Sequence, residues 1–198
     1  MHEMARRVKQ LTSEDWERAA LQAISDSGLG AVAVEPLARQ LGVTKGSFYA
    51  HFRDRDELVV AALGRWEQIH IESFTAVIER FKDPAERLRA LIELATSAAR
   101  GHTMISRLLL ESDDPRVIAA LRRITEFRLA HIESAFRELG MPRRTAAHRA
   151  TIAYAAYIGL LHLAREVPDR LTDERTLVLE LLQTLTEPAK RRRSRQSL

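Results

Sequence analysis

Apolar residues recur every three to four positions along most of this chain. This spacing is typical of helices and not of strands. It predicts helices over residues 12–27, 34–41, 44–51, 54–81, 84–100, 103–111, 115–139, 143–167 and 172–186. Glycine, proline and capping side chains mark most of the breaks between these ranges. The pattern therefore predicts an all-α fold of about nine helices.

The second and third predicted helices are short and meet within residues 37–52, LARQLGVTKGSFYAHF. Gly42 is expected to end the first of them, and Thr44 to cap the second. Phe48 and Phe52 lie four positions apart, so they share the apolar face of the second helix. The other face carries side chains that donate hydrogen bonds, namely Lys45, Ser47, Tyr49 and His51. This arrangement predicts a helix-turn-helix whose outward donors suit phosphate oxygens and base edges of DNA.

The eighth and ninth predicted helices, about residues 143–186, are the most apolar part of the chain. Residues 153–164, AYAAYIGLLHLA, are apolar on nearly every side. Such a helix must be buried on more than one side. Two interpretations stay open: the core of a monomer, or the interface of a homodimer in which two copies form a four-helix bundle.

Composition narrows the class of protein. The chain has 198 residues, of which 45% are hydrophobic and 29% charged, and no cysteine. The lack of cysteine excludes disulfides and thiolate metal sites. No apolar run reaches the roughly 20 residues that span a bilayer, and the N-terminus lacks the apolar core of a signal peptide. We therefore expect a cytoplasmic protein with no membrane partner.

The net charge of +4 comes from one end of the chain. Residues 189–198 carry five Lys and Arg and no acidic residue, whereas the rest of the chain is close to neutral. We expect this basic tail to be disordered. Whether the tail and the N-terminal arm, with Arg6, Arg7 and Lys9, touch DNA stays open.

Recognisable catalytic motifs are missing. The sequence holds no phosphate-binding glycine loop, no dinucleotide-binding glycine motif and no G-x-S-x-G nucleophile motif. Its seven histidines include no H-x-x-x-H pair. We expect no enzyme activity, no metal and no cofactor. An all-α enzyme, or a helical scaffold that does not bind DNA, remains the alternative.

The run LGVTKGSFYAHFRDRDEL, residues 41–58, resembles the DNA-binding signature of the tetracycline-repressor (TetR) family of bacterial regulators. The resemblance is dense from about residue 12 to residue 63. It implies that DNA is contacted by Thr44, Lys45, Gly46, Ser47, Tyr49, His51 and Arg55. Lys45 is the expected base reader, because its length and charge suit the acceptors of guanine. Where many members start the preceding helix with a phosphate-gripping Thr, this chain has Ala33, Val34 and Glu35.

The resemblance also implies a division of the chain and a function. Residues 1–54 would form the DNA-binding domain, residues 55–188 the effector-binding and dimerisation domain, and residues 189–198 the tail. The expected protein is a homodimeric repressor that binds a palindromic operator in double-stranded DNA and is released by a small, largely apolar effector. Candidates for lining the effector cavity, each of which also suits plain core packing, are Trp66, His70, Phe74, Met104, Leu108, Phe127, His131 and Tyr154.

Overall fold

Most of the chain that the structure describes is α-helical. The structure, a computed structural model, describes residues 11–97, 108, 113–171 and 173–187. These residues form eight α-helices and no strand, which confirms the all-α prediction. The helices are α1 Ser13–Ser27, α2 Val34–Leu41, α3 Lys45–Phe48, α4 Arg55–Arg80, α5 Pro84–Ser97, α6 Pro115–Glu138, α7 Arg143–Glu166 and α8 Glu174–Thr186. Two 3-10 turns, Leu29–Ala31 and Pro168–Arg170, follow α1 and α7.

Backbone contacts divide the chain into two compact units. The first unit comprises Met1–Ser73 and Arg100–Glu126, and the second comprises Phe74–Ala99 and Phe127–Leu198. Helix α4 contributes residues to both, because the division falls between Ser73 and Phe74. The division into residues 1–54, 55–188 and 189–198 stays a prediction.

The core of the first unit begins with α1. The backbone N–H of Thr12 donates to the Asp15 carboxylate at 2.9 Å, and this pair caps the helix. The helix then buries one stripe of side chains at helical spacing. The other helices of the unit add further buried side chains, so that its core contains Trp16, Ala20, Ile24, Leu37, Phe48, Leu58, Val59, Ala62, Trp66, Val117 and Ile124.

The core of the second unit joins residues from all five of its helical segments. Helix α8 packs against α5 and α7, and α5 also packs against α7. The buried cluster consists of Phe74, Leu88, Leu91, Ile132, Ala135, Phe136, Ala146, Ala150, Ala153, Val178, Leu182 and Leu185. The three alanines of α7 allow the neighbouring helices to approach closely.

Helix boundaries follow the prediction except at two places. Helix α3 ends at Phe48, whereas residues 44–51 were expected to be helical. Residues 49–51 instead form a turn, in which the N–H groups of His51 and Phe52 both donate to the Phe48 carbonyl. Asp173 caps α8 through the Thr176 N–H at 3.0 Å, so the expected start at residue 172 was one residue early. The expected helix over 103–111 and the end of the helix over 84–100 lie outside the described residues.

Within the described part of the chain, no helix combines the length and apolar character that crossing a membrane requires.

Candidate nucleic-acid interface

The turn between α2 and α3 fixes the direction of α3. Gly42 adopts φ 71°, in the left-handed region, where residues with a Cβ are strained. Its N–H donates to the Arg39 carbonyl at 3.2 Å, and the Val43 N–H donates to the Ala38 carbonyl at 2.9 Å. These bonds satisfy carbonyls at the end of α2 and end the helix at Gly42. The predicted tight glycine turn is confirmed.

One face of α3 is anchored in the core of the first unit. Phe48 is fully buried, with its ring centroid 5.3 Å from that of Trp16 in an edge contact. Phe52 stacks on Phe48 with centroids 5.7 Å apart. Aromatic contacts of this kind favour particular orientations as well as burial. They determine which side of α3 faces outward.

The outward side of α3, with the residues directly before and after it, carries most of the residues predicted to contact DNA. Thr44, Lys45 and Gly46 are exposed, and Tyr49 is 57% exposed. Ser47 and His51 are half-buried. A Cβ added at Gly46 would meet only the Thr44 Oγ1 atom, at 3.6 Å. The surface above Gly46 is therefore open for a close approach, and contact of these residues with DNA stays a prediction.

Lys45, the predicted base reader, forms an ion pair with Glu35 in the first turn of α2. Its Nζ lies 2.9 Å from Glu35 Oε1, and both side chains are more than half exposed. The hydrogen bond and charge of Lys45 lower the pKa of the Glu35 carboxyl, and Glu35 raises the pKa of Lys45. Both groups are therefore charged at neutral pH.

Arg55, another predicted phosphate ligand, is bonded within the chain. Its Nε donates to the Val32 carbonyl at 2.7 Å, and its Nη2 donates to the Leu29 carbonyl at 2.8 Å. These carbonyls belong to the connection between α1 and α2, so Arg55 fixes that connection to the start of α4. A phosphate contact by Arg55 stays a prediction.

Arg116 joins the starts of α4 and α6, a link that helical spacing did not indicate. Its Nη1 donates to Asp56 at 2.6 Å, and its Nη2 donates to Asp114 at 2.7 Å. Hydrogen bonding by Arg116 lowers the pKa of Asp114 from 3.8 to about 2. It also lowers the pKa of Asp56. Arg123 forms a second link between the same helices, to Glu67.

The predicted effector-lining residues of the first unit include one aromatic pair. The rings of Trp66 and His70 lie 4.8 Å apart, and His70 Nδ1 is 2.9 Å from the Trp66 carbonyl oxygen. Trp66 is 3% exposed and, among the described residues, its indole Nε1 has no hydrogen-bond partner. Leu108 is fully buried. Met104 lies outside the described residues.

The second unit brings together three more of these residues. The Phe74 ring lies 5.7 Å from Phe127 and 6.1 Å from His131. His131 Nδ1 is 2.8 Å from the Phe127 carbonyl oxygen, which fixes the orientation of the imidazole. The Tyr154 ring packs against that of Tyr157, with centroids 5.9 Å apart. Contact of any of these residues with an effector stays a prediction.

Helix α7 leaves a continuous stripe of its surface uncovered within its own unit. Ile152 is 53% and Leu163 40% exposed, although both are apolar. Further exposed positions of the stripe follow at helical spacing and include His148, Thr151, Ala155, Gly159, His162 and Glu166. The centre of the stripe is thus small and apolar.

Metal binding gains no support from the side chains. The described residues include no group of three or more His, Asp or Glu that could hold a metal ion.

Comparison with known proteins links the helix-turn-helix to one group of regulators. The family model described as "Bacterial regulatory proteins, tetR family" matches residues 18–62, which include α2, the turn and α3. The chain is also similar to the HTH-type transcriptional activator FasR of Mycolicibacterium smegmatis (strain ATCC 700084 / mc(2)155), with 26% identity over 145 residues. That match covers 72% of this chain and 65% of the relative, so it spans just under two thirds of the relative's length.

Solved structures share the fold over most of the chain. A transcriptional regulator from Rhodococcus sp. Rha1 aligns with a TM-score of 0.69 and 21% identity, covering 89% of this chain and 94% of its own. The regulator FadR from Bacillus subtilis, in complex with stearoyl-CoA, aligns with a TM-score of 0.68 and 17% identity, covering 89% of this chain and 98% of its own. At these identities the likeness concerns the fold alone.

Proposed function

Because this chain belongs to the TetR family of bacterial regulatory proteins, and is thus a DNA-binding transcriptional regulator, we propose that it is a repressor released by an effector. In this proposal a homodimer binds a palindromic operator, and a small, largely apolar effector releases it. The observation that carries the proposal is the geometry of α3. Phe48 locks one side of the helix into the core, while Lys45 and Tyr49 stand exposed on the other.

The exposed groups suit different parts of a DNA duplex. A lysine ammonium suits the O6 and N7 acceptors of guanine in the major groove, so we assign base reading to Lys45. A tyrosine hydroxyl donates well to phosphate oxygens, which carry no sequence information. We therefore assign Tyr49, with Thr44, Ser47 and His51, to positioning α3 on the backbone. Arg55 supports this surface indirectly by holding the connection between α1 and α2.

The stripe on α7 supports dimerisation. Exposed Ile152 and Leu163 flank the small residues Ala155 and Gly159, which allow a second helix to approach closely. We infer that α7 and α8 of two copies form the interface. A two-fold dimer presents two recognition helices, and a palindromic operator with half-sites about 34 Å apart matches that symmetry.

Release by an effector follows from linkage. In one state of the dimer the recognition helices match the half-site spacing, and in another state they do not. An effector that binds the second state more tightly lowers operator affinity, by an amount set by its difference in affinity for the two states. Each unit by itself offers an apolar wall with a polar anchor for such a ligand, Trp66 with His70 in the first unit and Phe74 with Phe127 and His131 in the second. A long-chain acyl thioester is the class to test first, since the FadR neighbour is in complex with stearoyl-CoA.

DNA binding is tested with two variants of α3. Operator duplexes are first selected from a randomised library with the unaltered protein. Tyr49→Ala should then weaken binding to all duplexes, because a phosphate contact is lost. Lys45→Ala should relax preference at one base position of each half-site by about tenfold. Gel-shift titration measures both, and Val60→Ala, which removes an exposed side chain of α4, serves as control.

The same titration bears on the alternatives. If both variants bind every duplex as the unaltered protein does, α3 is not the reader. A protein that stays monomeric in gel filtration and retards no duplex at low salt would favour the helical scaffold.

Effector release and the direction of regulation need separate readouts. Stearoyl-CoA added to the protein–operator complex should release the duplex, while coenzyme A alone should not. Release by neither compound would exclude this effector class.

Whether the protein represses or activates is tested with a reporter gene whose promoter overlaps the operator. Expression of the reporter should fall when the protein is produced. Because FasR is an activator by name, a rise in the reporter would overturn repression and leave DNA binding intact.

A further inference from the structure

We propose that Glu35 is a positioning residue that holds Lys45 and thereby sets how strictly the protein discriminates between DNA sequences. The proposal rests on the proposed function of α3, and it assigns a specificity role to a residue of α2. It follows from the ion pair between the two helices and from the charge that Glu35 brings to the same surface.

The pair connects the two helices of the helix-turn-helix at their amino ends. Glu35 is the second residue of α2, and Lys45 is the first residue of α3. The atoms Nζ and Oε1 lie 2.9 Å apart, and the side chains are 52% and 67% exposed. The pair therefore lies on the surface and contributes nothing to the core. In this pair the Lys45 ammonium is bonded to a side chain at the amino end of α2.

The carboxylate changes what Lys45 attracts. A lone lysine is a flexible point charge that binds any phosphate within reach. Such contacts supply most of the sequence-independent affinity for DNA. With Glu35 beside it, the ammonium belongs to a neutral pair, and the carboxylate itself repels phosphate. Lys45 then gains most where a base edge offers two acceptors in a fixed position, as guanine does.

The pair is also weak enough to open when a better partner is present. Exposed ion pairs are screened by salt and lose side-chain entropy, so their net stabilisation is small. Lys45 can therefore leave Glu35 when it meets the right base. In this way Glu35 lowers the sequence-independent affinity for DNA and leaves the preference for the right base intact.

The experiment compares Glu35→Gln with the unaltered protein on two duplexes of equal length, a selected operator and a scrambled sequence. Glutamine keeps the size of the side chain and removes its charge. Lys45 should then gain a phosphate contact. The slope of log K against log salt should become steeper by about 0.9 per subunit on the scrambled duplex. At about 0.1 M salt this corresponds to roughly tenfold tighter non-specific binding per subunit. The discrimination ratio, which is the affinity for the operator divided by the affinity for the scrambled duplex, should fall accordingly.

Two further variants separate this role from a general charge effect. Asp26→Asn makes the same change in net charge at an exposed position of α1 and should leave slope and ratio unchanged. In a Lys45→Gln background, Glu35→Gln should have no effect on the ratio, because no ammonium remains to be positioned. Thermal unfolding of each variant checks that the fold is intact.

Three results would overturn the proposal. The first is a Glu35→Gln protein with the salt slope and discrimination ratio of the unaltered protein. The second is an equal effect of Glu35→Gln with and without Lys45, which would mean that Glu35 acts by bulk charge. The third is an unaltered protein that retards neither duplex at low salt, which would overturn the proposed function as well. The first two results leave the proposed function standing.

Discussion

At the scale of single residues, Phe48 and Tyr49 show how neighbouring positions separate folding from binding. Phe48 is fully buried against Trp16, whereas Tyr49 is 57% exposed. The two rings still touch, with centroids 5.2 Å apart. Phe48 thus holds α3 in place, and Tyr49 is free to meet a partner.

Phe48→Ala should destabilise the first unit by about 3–5 kcal/mol, because it removes a buried aromatic ring and leaves a cavity. Urea denaturation followed by tryptophan fluorescence is a suitable measurement, since Trp16 contacts the lost ring. Tyr49→Ala, the matched control, should cost less than about 1 kcal/mol, as surface substitutions do. Equal losses in the two variants would mean that Phe48 does not anchor α3.

The orientation of these residues was predictable, but their long-range partners were not. Spacing of four positions placed Phe48 and Phe52 inside and left Lys45 and Tyr49 outside. Lys45 pairs with Glu35. Arg55 donates to the carbonyls of Leu29 and Val32. Helical periodicity relates residues within a turn or two of each other, so it carries no information about such pairs.

At the scale of helices, ion pairs link the start of α4 to the start of α6. Arg116 bonds Asp114, which caps α6, and Asp56 in the first turn of α4. A cap at this position can be read from the sequence, because Asp114 is followed by Pro115, and proline is common at the first helical position. The arginine link cannot, because Asp56 lies 60 positions away. Likewise, the early end of α3 reflects the turn that returns Phe52 to the core, which local propensity does not reveal.

The ion pair between Arg116 and Asp114 should make the free energy of unfolding depend on pH. In the folded protein the pKa of Asp114 is about 2, below its ordinary 3.8, so folding favours the charged carboxylate. The stabilisation is therefore complete above about pH 4 and is lost as pH falls towards 2. Its upper limit is about 2 kcal/mol, or about 1 kcal/mol once solvent screening is allowed for.

Asp114→Asn isolates this charge effect, since asparagine also caps helices well. Between pH 5 and pH 2 the free energy of unfolding should fall less in the variant than in the unaltered protein. Urea titrations at several pH values measure the difference. In an Arg116→Gln background the difference should become smaller, because only the backbone N–H groups of Arg116 and Val117 then still favour the carboxylate. An undiminished difference would mean that the Arg116 side chain does not hold the carboxylate charged.

At the scale of the whole molecule, the stripe on α7 is the feature that a second copy would cover. A Cβ added at Gly159 meets nothing within 4 Å, and Gly159 is exposed in the centre of the stripe. A large side chain there fits within one chain. It would block only a partner that packs closely against α7.

Gly159→Arg should therefore convert a dimer into a monomer and abolish operator binding. Arginine is also a better helix former than glycine by close to 1 kcal/mol, so α7 itself should not be weakened. Gel filtration with light scattering measures the mass. Gly64→Arg is the matched control, because Gly64 is an exposed glycine of α4 with equally open surroundings. A dimeric Gly159→Arg protein would place the interface elsewhere.

The fold class was predictable from sequence, but the division into compact units was not. Apolar periodicity gave helices whose described bounds agree with the prediction within one or two residues, apart from α3. Division of a chain is usually read from glycine, proline or a change in composition. Here two of its boundaries fall inside continuous helices, between Ser73 and Phe74 in α4 and between Glu126 and Phe127 in α6, where no such signal occurs.

The carboxyl end of α8 is tied down by Arg149 of α7. Its Nη2 donates to the Glu187 carbonyl at 2.6 Å, and its Nη1 donates to the carbonyls of Thr184 and Leu185. All three acceptors precede residue 188. Removing residues 189–198 therefore takes away five positive charges and leaves the three acceptors of Arg149 in the chain. A chain that ends at residue 188 should keep these bonds, so its DNA affinity compared with that of the full chain would measure what the five charges contribute.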